Sequence, residues 1–371
     1  MEIANFGVEE WLNKWEKKAI YDIAQSSIEA LTLEELIGLD GTTVNEFFTQ
    51  RSHLPLDYGW IEGSEAFKEQ VAALYHTVKP KNVLQTNGAT GANLLALYAL
   101  IEPGDHVISM LPTYQQLYDI PRSIGASVDF VELKEEENWR FDVEKLAGLV
   151  KPETKMICLN SANNPTGTLL VRQTLEQIVA IAKKVGAYVL VDEVYAPLAA
   201  EGEFVSIADL YDKGIATNSL SKTYSIPGIR IGWTATNAEL AELFRKYRDY
   251  TMICGGVLSD DLAVHALKNK EKILARNKKI VAENLAILKD WVASEPKVSL
   301  VMPNYVSTSF IKLDIKDDDT QFCIDLLEET GVLLVPGSAF GLPKHARLGY
   351  CCKKEVLEKG LTLLSEFLTK S

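Results

Sequence analysis

The stretch richest in reactive side chains is Ser219-Leu-Ser221-Lys222-Thr-Tyr-Ser-Ile-Pro-Gly228-Ile-Arg230-Ile-Gly232-Trp. Hydroxyls and the planar fork of an arginine are natural phosphate ligands, and glycines let a backbone approach such a group closely. A lysine held among them sits in a positive field that disfavours its ammonium form, which suits a nucleophilic or Schiff-base amine. A polar loop after a strand is the plainer reading of the same residues.

Three further pieces carry chemistry. Gly186-Ala-Tyr-Val-Leu-Val-Asp192-Glu193-Val-Tyr195 is an apolar run ending in carboxylates. It places Asp192 at the strand end where open α/β sheets hold ligands. A carboxylate buried there needs a cation; a protonated pyridine nitrogen supplies one, and a simple turn cap is the alternative. Thr86-Asn87-Gly88-Ala89-Thr90-Gly91-Ala92 joins a strand to an apolar helix, so that free N–H groups and the Thr90 hydroxyl form an anion cradle. The segment fits neither GxGxxG nor GxxxxGK[ST], which disfavours dinucleotide and P-loop readings. Asn160-Ser-Ala-Asn163-Asn164-Pro165-Thr166-Gly167 consists of turn formers, among which an Asn amide can donate to a ring hydroxyl or phenolate oxygen.

The elements that must position these residues follow from periodicity. Strands are expected at Val83–Asn87, His106–Met110, Ser127–Leu133, Lys155–Asn160, Ala187–Glu193 and Ile215–Leu220, with helices at Ala92–Ile101, Gln115–Gly125, Val143–Val150 and Leu170–Val185. That alternation argues for βαβ units and an α/β fold, with a mainly parallel central sheet in a large three-layer αβα domain. After about Gly255 the texture changes to two long helical patterns, Leu258–Asn269 and Glu271–Ala293. Short strands follow at Ser307–Leu313, Val332–Val335 and His345–Tyr350, then a closing helix at Lys353–Thr369. Residues 45–255 are therefore read as the large domain, and 1–44 with 256–371 as a smaller α+β domain carrying an N-terminal arm. The amphipathic pieces Val8–Lys18 and Thr32–Gly38 need another surface to lie on.

Composition narrows the function classes. The 371 residues carry 38 Lys+Arg against 51 Asp+Glu, a formal charge of −13, which is a poor match to nucleic acid. The longest apolar run, Leu94 to Ile101, is eight residues, far short of the roughly 18 a membrane span needs. The acidic N-terminus has no apolar h-region, so a secretory signal is not expected. The cysteines (Cys158, Cys254, Cys323, Cys351, Cys352) are odd in number and the histidines scattered. No disulfide framework and no metal site are expected, and a cytoplasmic setting fits best.

Taken together in order and spacing, these pieces resemble the fold-type-I pyridoxal-phosphate enzymes, specifically the class I/II aminotransferase family, from about Tyr58 to Arg347. The resemblance implies that Lys222 forms the internal aldimine and that Asp192 pairs with the pyridine nitrogen. Tyr195 and Asn164 contact the ring 3′-oxygen. Gly88, Ala89, Thr90, Ser219, Ser221 and Arg230 hold the phosphate, and Tyr114 stacks on the ring. Tyr58, in Tyr58-x4-Gly63-x3-Phe67-Lys68, matches the tyrosine that reaches a partner subunit's phosphate, so a homodimer is implied. Arg347 in Ala-Arg-Leu-Gly matches the arginine that clamps the substrate α-carboxylate. Gly91 stands where larger polar residues are common, and Lys68 where the family usually has Arg.

The implied activity moves an amino group between an α-amino acid and a 2-oxo acid. The stretch from Val8-Glu-Glu-Trp11 through Ser26-Ser27 to Leu36 is similar to the capreomycidine-synthase-like branch, which acts on arginine-derived amino acids without simple transamination. Elimination, cyclisation or oxidation on the same scaffold is therefore the alternative. A non-catalytic effector-binding module is disfavoured because Lys222, Asp192, Tyr195 and Arg347 are all present and no DNA-binding extension is expected.

Overall fold

The computed structural model describes residues 2–304, 306–316 and 318–370. The chain begins with α1 (Gly7–Trp15), β1 (Tyr21–Asp22), α2 (Leu33–Ile37), α3 (Val44–Thr49) and α4 (Glu65–Ala72). It continues through β2 (Val83–Thr86), α5 (Gly88–Leu100), β3 (His106–Leu111), α6 (Gln116–Ile124), β4 (Ser127–Glu132), α7 (Val143–Leu149) and β5 (Thr154–Asn160). Then come α8 (Arg172–Val185), β6 (Tyr188–Asp192), α9 (Ile207–Leu210), β7 (Gly214–Ser219), β8 (Gly232–Ala235) and α10 (Ala238–Arg248). The last third holds α11 (Val257–Lys268), α12 (Lys270–Ser294), β9 (Val298–Ser299), β10 (Thr308–Leu313), α13 (Asp319–Thr330), β11 (Val332–Leu333), β12 (Val335–Pro336), β13 (His345–Gly349) and α14 (Lys354–Lys370).

Seven strands form the main sheet in the order β2-β8-β7-β6-β5-β3-β4. All neighbours are parallel except β8, which runs antiparallel to both β2 and β7. β5, β6 and β7 are buried almost throughout, which is why they read as continuous apolar runs rather than alternating ones. Register sets Asn160 beside Asp192 and Asp192 beside Thr217. Three polar side chains thus stand in one row at the carboxyl ends of the central strands, where such sheets bind ligands. α5 is apolar nearly all round; most of it packs on the sheet, α6 and α10, while Leu94 and Tyr98 stay exposed on one face. α8 ends cleanly because Gly186 takes φ +71° at its cap.

A second, antiparallel sheet has the order β12-β13-β10-β9. The 25-residue α12, roughly 38 Å long at 1.5 Å per residue, ties the two sheets together. Its Asn277 Nδ2 donates to Thr223 O (2.8 Å) and Ser225 Oγ (2.9 Å), next to Lys222. Two turns on, Asn284 Nδ2 donates to Tyr350 O and Cys352 O. The N-terminal segment lies across both sheets. Trp11 Nε1 donates to Leu334 O (2.8 Å), Tyr21 pairs with Val332, and Gly7 N donates to Gln115 Oε1 (2.8 Å) at the edge of α6.

The expected strands and helices are present to within a few residues at their ends, with one correction. The Val332–Val335 run is not one strand. It divides at Leu334, β11 pairing with β1 and β12 with β13, because the intervening Leu334 carbonyl is taken by Trp11. β1, α3, α4, α9, β8, α10, β9 and α13 were not anticipated. Cys158, Cys323 and Cys351 are buried free thiols, and burial pushes their pKa up, leaving them unreactive. No helix among the described residues is long and apolar enough to cross a membrane.

Candidate functional site

A cavity of about 660 Å³ opens at the carboxyl ends of β5, β6 and β7. It brings together Ala89, Thr90, Tyr114, Asn164, Asp192, Tyr195, Ser219, Ser221, Lys222, Arg230 and Arg347, which the sequence scatters over some 260 positions. Gly88 lies just behind Arg230: a Cβ there would sit 2.7 Å from Nη2 of the guanidinium. Tyr58 is not on this wall; it is 79% exposed to solvent.

The floor is the β6 carboxylate. Asp192 is 4% exposed and accepts from Asn93 Nδ2 (2.8 Å) and from the Val194 N–H (3.3 Å). Asn93 is itself oriented by the Thr217 hydroxyl, which donates to its Oδ1 at 2.6 Å. Burial raises the Asp192 pKa to about 6, while the Asn93 and Val194 donors and the charge of Lys222 pull it back down. A carboxylate so placed gains most from a cation set against it.

Lys222 lines the same cavity, within reach of the Asp192 charge. Burial first, and then the nearby positive charges of Arg347 and Arg230, lower its pKa to about 8, against the pull of Glu9 and Asp192. About a tenth of the amine is neutral at pH 7 as a result, compared with well under a thousandth for an ordinary lysine. Its Nζ donates to Ser26 Oγ at 2.7 Å.

The anion cradle is built by close approach of two backbones. A Cβ on Gly232 would lie 2.4 Å from the Gly88 carbonyl carbon and 2.7 Å from Ala89 N, so only glycine lets β8 pass the start of α5. The first N–H groups of the 13-residue α5 lie beside Arg230, Ser219 and Ser221, and they have no intrahelical partners of their own. Arg230 holds φ +55°, a left-handed conformation uncommon for any residue but glycine, and lines the cavity from there.

Arg347 closes the far end. It is 2% exposed, with Nε and Nη2 on Ala24 O (3.2 and 2.9 Å) and Nη1 3.4 Å from Asn164 Oδ1. Tyr195 OH donates to Ser26 O (2.8 Å), and burial pushes its phenol up to about 12. Tyr114, also pushed up to about 12 by burial, faces Phe6 with ring centroids 5.2 Å apart.

These features suit the parts of pyridoxal phosphate. A cradle of N–H groups, hydroxyls and a guanidinium matches the phosphate, a buried carboxylate matches a protonated ring nitrogen, and a partly deprotonated lysine matches the aldehyde. Four wall residues, Phe6, Glu9, Ser26 and Gln116, were not anticipated, nor was Asn93, which supports Asp192 from outside the wall. Asn93 had a readable signal, an amide inside an otherwise apolar helix. The others had none, since what makes them functional is contact across long stretches of chain.

The family model described as "Aminotransferase class I and II" matches residues 43–364. The aspartate aminotransferase of Thermotoga maritima is 33% identical over 320 residues, 84% of this chain and 82% of that protein. The capreomycidine synthase of Streptomyces vinaceus is 29% identical over 369 residues, covering 97% of this chain and 93% of that one. Among solved structures, a PLP-dependent aminotransferase from Streptococcus suis 89-1591 superposes with a TM-score of 0.97 at 57% identity, over 100% of this chain and 99% of its own.

Proposed function

The chain belongs to the class I and II aminotransferases, pyridoxal-phosphate-dependent transaminases, and on that premise we propose that it moves an amino group between an α-amino acid and a 2-oxo acid with Lys222 carrying the cofactor. The observation behind this reading is a single cavity that sets Lys222 and Arg347 around the buried Asp192. When bound, pyridoxal phosphate supplies an electron sink for negative charge developing at the substrate Cα.

The chain's own residues do the rest. Asp192 keeps a positive charge on the ring nitrogen, and Asn93 keeps Asp192 in place. Gly88, Ala89, Thr90, Ser219, Ser221 and Arg230 hold the phosphate. Asn164 and Tyr195 would contact the ring 3′-oxygen, the Tyr195 hydroxyl exchanging its bond to Ser26 O to donate there, and Tyr114 would pack on the ring face. Arg347 receives the substrate α-carboxylate through a charge-assisted pair, which orients the Cα–H bond toward the amine. Lys222 would hold the cofactor's aldehyde carbon and, with its amine partly neutral, would serve as the general base for the substrate Cα proton.

Tyr58 contacts a partner subunit's phosphate in this reading, so the working unit is a homodimer. Leu56, Tyr58, Trp60 and Tyr250 are exposed, and Gly59 abuts the Gly255 carbonyl, so the two segments adjoin. Residues 45–255 act as the cofactor domain, 1–44 with 256–371 as the smaller one, and the enzyme works in the cytoplasm.

Similarity to capreomycidine synthase over nearly the whole chain favours a second reading, in which the Cα carbanion is diverted to elimination or cyclisation. One half-turnover separates the two. The holoprotein is mixed with an amino donor and no oxo acid, and the released cofactor is identified by chromatography. Transamination leaves pyridoxamine phosphate and a stoichiometric 2-oxo acid; recovery of unchanged pyridoxal phosphate beside a consumed amino acid contradicts it.

A further inference from the structure

A buried amide costs free energy unless both of its ends are hydrogen-bonded. Asn93 is the one amide side chain in α5, and it is wholly buried. What holds it lies on the sheet beneath. Residues paired in register on neighbouring strands project to the same face, and Asp192 of β6 pairs with Thr217 of β7 under the helix. Asn93 meets both side chains. Its Nδ2 donates to Asp192 Oδ2 at 2.8 Å, and its Oδ1 accepts from the Thr217 hydroxyl at 2.6 Å.

The Thr217 contact decides which end of the amide faces the acid. A hydroxyl has one proton to give. Spent on Asn93 Oδ1, it occupies the amide oxygen and turns the N–H groups toward Asp192. The reversed amide would set Oδ1 against a carboxylate oxygen, acceptor against acceptor. An N–H donor stabilises the ionised carboxylate over the protonated one. Among the described residues no other side chain gives Asp192 such a bond. Asn160, its neighbour on β5, spends Nδ2 on the Asp192 backbone carbonyl (2.9 Å) and Oδ1 on the Asn164 N–H. The Val194 N–H, at 3.3 Å, is the remaining donor. The titratable groups whose charges couple to Asp192 are Lys222 after β7, Glu193 and Tyr195 after β6, and Tyr114 before α6. Of these only Lys222 is a cation, and the proposed function commits it to the cofactor. α5 itself brings only the amide.

Resting on the transaminase reading for the place of the cofactor ring, we propose that Thr217 and Asn93 form a two-residue relay that holds Asp192 ionised in its apolar surroundings and thereby keeps the ring nitrogen of bound pyridoxal phosphate protonated. Both are positioning residues: neither lines the cavity, and both act through Asp192. Burial pulls the other way, raising the Asp192 pKa to about 6, and Asn93 leads the groups that oppose it. A neutral Asp192 would offer the ring nitrogen a hydrogen bond in place of a counter-ion, weakening the electron sink on which turnover depends.

The test follows two protons separately. Asp192 is titrated in the apoprotein by carbon-13 NMR of aspartate-labelled protein, its signal identified by its absence in Asp192→Asn. The ring nitrogen is titrated in the holoprotein by nitrogen-15 NMR of labelled pyridoxal phosphate. Asn93→Leu suits the apolar helix, and Thr217→Val swaps a hydroxyl for a methyl, so one variant reads out if the other folds poorly. In Asn93→Leu the Asp192 midpoint is expected to rise by about one pH unit or more, and in Thr217→Val by about half as much. Thr217→Ser keeps the hydroxyl and is expected to stay within about 0.3 of wild type. The ring nitrogen of Asn93→Leu loses its proton at a pH at least about one unit below that of wild type. An Asp192 midpoint unmoved in both Asn93→Leu and Thr217→Val, or a ring nitrogen that neither variant alters, overturns the inference. Lowered stability with both midpoints unmoved assigns the pair to packing alone and overturns it too. The two readings fail separately. A raised Asp192 midpoint in a protein that takes up no cofactor supports the relay's hold on Asp192 and counts against transamination, whereas unmoved midpoints in variants of a protein that transaminates do the reverse.

Discussion

Lys222 Nζ donates to Ser26 Oγ at 2.7 Å, across 196 positions of sequence. The Ser26 carbonyl is held by two further donors, Tyr195 OH at 2.8 Å and Ser307 Oγ at 2.6 Å. The hydroxyl that meets the lysine is therefore fixed by β6-loop and β10-edge residues, and the N-terminal arm is part of the site. Removing only that hydroxyl leaves the carbonyl contacts intact. Ser26→Ala is expected to lower kcat about tenfold with KM changed less than threefold, since a positioning contact to a general base is lost. Steady-state kinetics check this, and a melting temperature within a few degrees of wild type separates it from a folding defect.

Arg347 serves packing as well as binding. Truncation to Ala strips the buried Ala24 carbonyl and Asn164 Oδ1 of donors, at roughly 1–3 kcal/mol for each group left unpaired. Arg347→Ala is therefore expected to raise KM for α-amino acids by at least about tenfold and to lower stability measurably in urea. Arg347→Lys restores much of the stability but little of the KM, because a point charge replaces a fork. Equal KM in wild type and both variants removes Arg347 from the substrate site.

The buried Asp192 makes a signed prediction about pH. Burial sets its folded pKa at about 6, above the ordinary carboxyl value of 3.8, so the folded apoprotein holds that proton more tightly than the unfolded chain does. The resulting destabilisation is absent below about pH 4, develops as pH rises toward 6, and is complete above it. Asp192→Asn removes the charge, so the apo variant is expected to be more stable than wild-type apoprotein by roughly 2 kcal/mol at pH 7.5, and by less at pH 5. The same variant loses its counter-ion for the ring nitrogen, and turnover falls by at least about a hundredfold. Parallel denaturant titrations at the two pH values check the stability half.

Lys222 makes another. With a pKa near 8, the neutral fraction of its amine rises about tenfold between pH 7 and 9 and then levels off, whereas an ordinary lysine would gain about a hundredfold over the same range without levelling. Rates of cofactor capture by the apoprotein, followed by stopped-flow absorbance, are expected to show the plateau. A rate still climbing steeply at pH 9.5 contradicts the lowered pKa.

What the sequence made legible follows from how local each signal is. Lys222, Ser219, Ser221 and Arg230 share one loop, and Asp192 ends a continuous apolar run; both patterns are written in neighbouring residues. The buried parallel strands were readable because burial on both faces demands unbroken apolar stretches. β8 was not, because Gly232–Ala235 is four residues long and antiparallel, and directly follows a Gly-x-Arg-x-Gly turn. The break at Leu334 depends on Trp11, 323 positions away. Ser26 escaped for the same reason: its role lies in what folds against it, and no spacing rule links the N-terminal arm to the loop after β7.

The central claim is that Lys222 is the residue that carries the cofactor. It is tested most directly by reducing the holoprotein with borohydride, digesting it, and locating the cofactor mass by tandem spectrometry. The account predicts one modified residue, Lys222, at close to one equivalent per chain, and no modification or turnover in Lys222→Ala. Label on another lysine, or a Lys222→Ala protein that keeps its visible band and its turnover, contradicts it.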